Sequence, residues 1–231
     1  MTALTIATQG GMNDEEYKLH FTMWAALKSP LIMGTDIRTL PANAYSIYTN
    51  PAILALSQDP AGASAQRRWR YYVPSTDANA VGEIQMWSGP LGTSDYVVIL
   101  LNAANQDTYM NATLADVFVD NGGAISTSVQ TSWDVYDLWA NRMPNATAAG
   151  VLSANATVNV LNATSYLYNA TAQSYAQGIA NNDTLLMGQY AGVWQAGADS
   201  TWSAMVPRHG VMAYRLRPSG AVTMRRKRDE L

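Results

Sequence analysis

The sequence predicts a mainly β fold, in which an antiparallel β-sandwich forms the C-terminal part and a helix–strand–helix segment precedes it. Apolar residues recur at helical spacing only near the start of the chain. After Gly62 they recur with a period of two, which is typical of strands. Charged residues make up only 13% of the 231 residues, about half the usual share. Asn, Ser, Thr and Tyr take their place, and these residues suit short strands and polar loops.

The first predicted element is a helix over residues 13–28. Asn13 and Glu16 have the spacing of a capping box, in which each side chain bonds to the other residue's backbone N–H. The wide apolar stripe of this helix predicts packing against a sheet. The members of the stripe are Tyr17, Phe21 and Trp24.

The next two elements are a short strand and a second helix. Residues 31–33 are an unbroken apolar run, which is typical of a strand in a sheet covered on both faces, and the run is followed by Asp36. Residues 50–56 predict a helix with Asn50 as its cap and Pro51 at its first position. The order helix–strand–helix is typical of a barrel or a doubly wound fold, although the segment is too short to close a sheet.

Five later segments with alternating apolar residues are predicted as strands, separated by Gly, Pro, Asn and Asp. Short strands at this spacing are typical of a sandwich. Residues 145–175 are low in complexity, and residues 145–182 are predicted to be an exposed, glycosylated insertion. The five segments are Trp69–Val73, Glu83–Trp87, Tyr96–Asn102, Thr131–Trp139 and Met205–Leu216.

Carboxylates are scarce, and few of them have a useful position. Asp134 and Asp137 are close in sequence, but their odd separation on a strand places them on opposite faces. They are therefore interpreted as structural aspartates. Asp36 follows the end of the predicted strand 31–33, where barrel active sites are built. It is the one substrate-proximal candidate, with a cap or turn role as the alternative.

No cofactor and no metal site are predicted. His20 and His209 lie far apart in sequence, no acidic cluster accompanies either of them, and the chain has no cysteine. The net charge of −3 gives no electrostatic reason to expect a nucleic-acid partner. No apolar run approaches the length of a membrane span.

Six Asn-X-Ser/Thr sites indicate the secretory pathway, with an extracellular or endoplasmic reticulum location. Residues 1–10 lack the pattern of a signal peptide, and a truncated chain would reconcile the two observations. The six sites are Asn111, Asn145, Asn155, Asn162, Asn169 and Asn182.

The chain ends in a basic tail over residues 218–231. Its last four residues are a close variant of the signal that retains proteins in the endoplasmic reticulum. A dibasic processing site at Lys227-Arg228 and a plain solvated tail are the alternatives. The four residues are Arg228, Asp229, Glu230 and Leu231.

Four segments together resemble the fungal α-galactosidases of glycoside hydrolase family 27, over about residues 12–217. The resemblance implies that residues 12–62 are the last helix–strand–helix of a (β/α)8 barrel and that residues 63–217 are the β-sandwich domain, while residues 1–11 have no match. The four segments are His20–Asp36, Leu56–Pro60, Trp133–Arg142 and Val206–Leu216.

The resemblance implies hydrolysis of terminal α-D-galactosyl residues, in oligosaccharides or galactomannans, by a retaining two-carboxylate mechanism. The family's nucleophile lies in a Lys-Tyr-Asp-type motif, and its acid/base aspartate lies on a later strand. Both belong upstream of the segment His20–Asp36, and no residue of this chain matches either motif. The chain is therefore expected to be inactive alone, with an α-galactoside as the ligand of the full-length relative.

A second hypothesis is a non-catalytic sandwich that binds carbohydrate or protein, which an exposed row of Trp and Tyr on one face would support. The incomplete barrel also predicts an exposed apolar patch and self-association through it. The patch is expected around Phe21, Trp24 and Leu31.

Overall fold

In a computed structural model of the chain, the described residues are 11–34, 36–73, 82–120, 122–153 and 164–220. The helices in them are α1 Asp14–Ala26, α2 Ala42–Tyr48, α3 Pro51–Ser57, α4 Leu114–Val117, α5 Asn145–Leu152, α6 Tyr175–Ala180 and α7 Thr184–Met187. The strands in them are β1 Gln66–Tyr72, β2 Glu83–Pro90, β3 Tyr96–Asn102, β4 Thr108–Thr113, β5 Trp133–Asp137, β6 Gln189–Trp194, β7 Thr201–Val206 and β8 Gly210–Pro218.

The strands form an antiparallel sandwich, which confirms the predicted fold class. The larger sheet has the strand order β1-β2-β3-β8-β5-β6, and β4 pairs with β7 in a second sheet. Apolar side chains of the two sheets meet in one core, where Met110 and Val206 from the small sheet lie with Leu100 and Leu216 from the large one. The large sheet therefore buries one face against the small sheet.

The helices of the N-terminal part cover the other face of the large sheet. Val97 and Ile99 of β3 point into a core that they share with α1, α2 and α3, whereas Val98 and Leu100 point into the sandwich core. A strand that is buried on both faces needs apolar residues at successive positions. This explains why β3 is an unbroken apolar run in an antiparallel sheet.

The cap of α1 confirms the predicted capping box. The Asn13 Oδ1 accepts a hydrogen bond from the Glu16 N–H at 3.0 Å, and the Asn13 N–H donates to the Glu16 carboxylate at 2.7 Å. Phe21 is buried and its ring packs edge-on against Tyr48 of α2. The predicted exposed patch is therefore wrong at Phe21, because the helical layer and the sheet cover this side chain.

Asn50 confirms its predicted role and has a second one. Its Oδ1 accepts hydrogen bonds from the N–H groups of Ala52 and Ile53, and this starts α3. Its Nδ2 donates to the carbonyl of Leu138, just beyond β5, at 3.1 Å. The same side chain therefore caps a helix and attaches it to the loop after a strand.

The predicted strand at residues 31–33 is wrong. The segment has no ladder partner, and Ile32 and Met33 are exposed. A strand needs a neighbour to receive its backbone hydrogen bonds, and the strands described above all pair elsewhere. The prediction also lacked α2, which begins after Pro41.

The predicted strand at Met205–Leu216 is two strands, β7 and β8, which belong to different sheets. Pro207 has no N–H to offer a ladder. His209 adopts a positive φ of 51°, which is a turn conformation. The chain thus leaves the small sheet and enters the large one between these residues, and β4 and β6 were not predicted at all.

The described parts of the predicted insertion at residues 145–182 contain two helices, α5 and α6, which pack on the helical layer. Ala148 of α5 and Ile179 of α6 are buried. Ile179 lies in a small cluster with Ala55 of α3. These parts of the segment therefore have core contacts in addition to exposed positions.

A buried charge cluster joins the large sheet to α6. The Asp95 carboxylate accepts hydrogen bonds from the Arg215 Nη1 at 2.8 Å and from the Arg217 Nε and Nη2 at 2.9 and 2.6 Å. Arg217 Nη1 also donates to the carbonyl of Ile179. The Nε and Nη2 of Arg215 have no hydrogen-bond partner among the described residues. Asp95 is thus the carboxylate that forms hydrogen bonds with both buried guanidinium groups.

We expect the substitution Asp95→Ala to lower the free energy of unfolding by about 3–5 kcal/mol, because it leaves two buried cations without a counter-charge. Urea denaturation of the purified chain measures the change. The control is Arg38→Ala, which removes an exposed ion pair with Asp36 and should leave the urea midpoint unchanged. Equal midpoints for the Asp95 variant and the wild type would contradict this account of the cluster.

Candidate functional site

Asp36 lies in an exposed turn and acts as a cap. Its Oδ1 accepts hydrogen bonds from the Arg38 N–H at 3.0 Å and from the Arg38 Nε at 2.9 Å, and its Oδ2 pairs with the Arg38 Nη2 at 2.7 Å. The Arg38 side chain lowers the pKa of Asp36 below its ordinary value. The carboxylate is thus held ionised by a neighbour, in the turn role that was the alternative to a substrate-proximal one.

Asp134 and Asp137 lie on opposite faces of β5, as their spacing predicted. Asp134 is opposite Arg217 in the register with β8, and Asp137 is opposite Tyr214. The Asp134 Oδ1 accepts a hydrogen bond from the Ser219 hydroxyl at 2.8 Å. The two carboxylates therefore cannot approach one substrate atom together.

Asp137 is half-buried and caps the turn after β5. Its Oδ1 accepts hydrogen bonds from the N–H groups of Trp139 and Ala140 at 2.8 and 3.2 Å. Burial raises the pKa of Asp137, and the two backbone hydrogen bonds oppose that rise. Because β5 ends at Asp137, Trp139 leaves the face of Trp133 and enters the core of the helical layer.

Four further carboxylates have structural partners in several separate parts of the fold. Each is placed by an ion pair or a hydrogen bond, so none of them is left free for acid/base chemistry. They are Asp14 with Arg142, Glu16 with His209, Glu83 with Gln85, and Asp95 with Arg215 and Arg217.

A small cleft lies where α3, the turn at residues 92–94 and α6 meet. Its walls are mostly apolar and include Ala55, Tyr175 and Ile179. Asp59 is the one carboxylate in its lining, and its Oδ1 already accepts hydrogen bonds from the N–H groups of Ala61 and Gly92. A single engaged carboxylate does not form a glycosidase pair.

The two histidines have different partners. His20 Nε2 accepts a hydrogen bond from the Trp24 indole at 2.8 Å, and burial lowers the pKa of His20. His209 Nδ1 lies 2.9 Å from a Glu16 oxygen. Within the described ranges, no three side chains of His, Cys, Asp or Glu are grouped as metal ligands. Nor does any helix of those ranges combine the length and apolarity of a membrane span.

An aromatic and basic strip, which the sequence analysis missed, lies along β1 and β2. Tyr72 is 66% exposed and lies on the same face as Arg70, whereas Tyr71, which is 60% exposed, points to the opposite face with Trp69. The Arg70 guanidinium lies 5.9 Å from the centre of the Tyr72 ring. The alternation in residues 66–72 was the available signal, since arginines and aromatics interleave along that strand.

The polar side of this strip is held by a chain of hydrogen bonds. The Trp87 indole donates to the Gln85 Oε1 at 2.8 Å, and the Gln85 Nε2 donates to the Glu83 carboxylate at 2.9 Å. Arg70 lies 3.8 Å from the same carboxylate, and Arg67 lies over the Trp87 ring. Aromatic faces beside fixed polar groups are the chemistry that binds sugars.

Four of the six predicted glycosylation sites fall on described residues, and their side chains are exposed. Asn155 and Asn162 lie outside the described residues, as do the tail residues Arg228 to Leu231. The four exposed sites are Asn111, Asn145, Asn169 and Asn182.

We expect Asp137→Asn to flatten the pH dependence of stability. The folded state holds the Asp137 proton more tightly than the unfolded state does. The free energy of unfolding therefore falls as the pH rises from the ordinary pKa of 3.8 through the raised one. Asparagine keeps the acceptor oxygen but has no charge to bury, so this fall should be smaller in the variant.

Urea denaturation from about pH 3 to pH 7 measures this slope. The control Asp137→Ala removes the cap as well and should cost about 0.5–2 kcal/mol. An Asn variant that is clearly less stable than the wild type at pH 7 would show that the charge of Asp137 stabilises the fold.

Comparison with known proteins connects this fold to one group of enzymes. The family described as the α-galactosidase C-terminal β-sandwich domain matches residues 81–170. α-Galactosidase 2 of Saccharomyces cerevisiae is 49% identical over 210 residues, which are 91% of this chain and 43% of that protein. The chain thus spans less than half the length of the curated relatives it matches.

Solved structures give the same result. A structure of an α-galactosidase from Saccharomyces cerevisiae matches with a TM-score of 0.84 and 47% identity, over 93% of this chain and 46% of that one. α-Galactosidase I from Mortierella vinacea matches with a TM-score of 0.58 and 27% identity, over 91% of this chain and 37% of that one. By sequence and by structure, the chain belongs to glycoside hydrolase family 27 and corresponds to the C-terminal part of its α-galactosidases.

Proposed function

We propose that this chain is part of an α-galactosidase that removes terminal α-D-galactosyl residues from oligosaccharides or galactomannans with retention. We further propose that the two catalytic carboxylates lie outside these residues. The observation that carries the second proposal is the state of the acids described above, which are committed to caps, turns and ion pairs. Retaining hydrolysis needs two carboxyl groups about 5 Å apart across one bond.

The role proposed for this chain is structural support. Its helical layer and its sheet share one core, in which Phe21 and Ile53 lie with Val97 and Val211. A layer fixed in this way offers a rigid base for active-site residues that come from elsewhere in a longer protein. Rigid support matters because catalytic groups must be held close to their productive geometry.

We expect the purified chain to hydrolyse a chromogenic α-galactoside at the rate of the buffer alone, because it lacks the paired acids. A spectrophotometric assay at several pH values measures this. Asp36→Asn and Asp59→Asn are the matched variants, and they should give the same background. Turnover above background that either substitution abolishes would overturn the assignment of the catalytic pair.

A second candidate function is carbohydrate binding by the sandwich itself, which the exposed aromatic strip on β1 and β2 favours. Titration of the same preparation with galactomannan, followed by calorimetry, separates the two candidates. The support role expects no heat of binding. Binding that is lost in Tyr72→Ser and kept in Tyr190→Ser, which changes an exposed tyrosine on β6, would favour the binding module.

We also propose that the protein passes through the secretory pathway, to the extracellular space or the endoplasmic reticulum lumen. The exposure of the four described glycosylation sites supports this. The C-terminal residues 228–231 would serve as the retention signal in the second case. Glycopeptide mass spectrometry of the protein from its own cells tests the proposal.

Self-association is a further proposal for the chain on its own. The exposed apolar side chains on the segment after α1 support it, although Phe21 is not among them. They are Ile32, Met33 and Ile37, which are 55%, 44% and 66% exposed.

We expect light scattering to show dimers or larger species for the wild-type chain, and mostly monomers for the variant Ile32→Ser/Ile37→Ser. Burying such side chains against another copy removes apolar surface from water, which favours association. Tyr190→Ser is the control and should associate like the wild type. A monodisperse wild-type monomer would contradict the proposal.

A further inference from the structure

The outer face of the small sheet carries an apolar pair beside a glycosylation site. Tyr109 of β4 and Met205 of β7 are cross-strand partners, and they are 62% and 55% exposed. The next pair on the same face is Asn111 with Ser203. The alternate residues of β4, Met110 and Ala112, point into the sandwich core.

We propose that an N-glycan on Asn111 lies across Tyr109 and Met205 and covers this face. Residues two apart on a strand lie on one face about 7 Å apart, so the first sugar on the Asn111 Nδ2 can reach the Tyr109 ring. The apolar C–H face of a sugar ring packs on an aromatic face. The inference rests on the proposed passage through the secretory pathway.

The other three described sites differ from Asn111, because the fold already uses their amide oxygens. The Oδ1 of Asn145 accepts from Ser46 and Arg142, and that of Asn169 accepts from backbone N–H groups at 3.1 and 3.2 Å. The Oδ1 of Asn182 accepts from Arg217. Asn111 instead lies on a regularly paired strand beside the exposed ring of Tyr109.

The charge of the surroundings also favours a neutral sugar at this position. The other residues on this face are Thr113, Thr201 and Ser203, which carry hydroxyl groups. Hydroxyl groups can bond to the polar rim of a sugar while the ring covers the aromatic face. The combination matches a glycan better than a charged partner.

The test is a double-mutant cycle that removes the glycan on Asn111 and the ring of Tyr109, separately and together. The full chain is secreted from a eukaryotic host behind a leader, as wild type, Asn111→Gln, Tyr109→Thr and the double variant. Mass spectrometry determines which sites are occupied, and circular dichroism gives the thermal midpoints. We expect Asn111 to be occupied. Loss of its glycan should lower the midpoint by about 2–4 °C when Tyr109 is present, and should leave it unchanged in Tyr109→Thr.

Tyr109→Phe is the conservative variant, since it keeps the aromatic ring. In this background, loss of the Asn111 glycan should lower the thermal midpoint as much as it does in the wild type. The same shift in the Tyr109→Thr background would overturn the proposal, as would an unoccupied Asn111 beside occupied Asn145, Asn169 or Asn182. If Asn111 is unoccupied but another site is occupied, the proposed passage through the secretory pathway would still hold. If every site on the endogenous protein were bare, the proposed location itself would fail.

Discussion

The constraint on which this fold depends is that its central strands are buried on both faces. β3 and β8 pair along their length and lie between the small sheet and the helical layer. Val211 contacts the helices, and Leu216 contacts the sandwich core. Neither cover can be removed without exposing every second side chain of these strands to water. The helical layer and the sandwich are for this reason one packing unit, whatever longer protein they belong to.

Much of this architecture could be predicted from local signals. The bounds of β3 were predicted to the residue, and the caps of α1 and α3 were predicted because a capping side chain acts within a few residues of its own position. The strand at residues 31–33 was not predictable in the same way. An apolar run specifies burial, but a ladder needs a partner that the run itself does not contain. The break at Pro207 was readable in the sequence, but the change of sheet that it produces was not.

The features of the candidate site also differ in whether local sequence could predict them. The odd spacing of Asp134 and Asp137 was enough to exclude a convergent pair, because strand geometry is local. The cluster around Asp95 was missed, since its two arginines lie more than a hundred residues away on β8, which pairs with the strand that begins just after Asp95. The aromatic strip was missed for a related reason. Only the pairing of β1 with β2 brings Tyr72 and Arg70 beside the glutamate and glutamine of the neighbouring strand.

The attachment of Asn50 to Leu138 has a consequence for the order of events during synthesis. The Leu138 carbonyl that accepts the hydrogen bond of Asn50 is synthesised 88 residues after Asn50. Val211, which packs against the helical layer, is synthesised later still. At about 5–20 residues per second, the stretch from α3 to β8 takes roughly 10–30 s to leave the ribosome. During that interval the apolar sides of α1 and α3 have no sheet to rest on. The apolar sides of the nascent helices therefore stay exposed until the sheet forms, and their final docking requires β8.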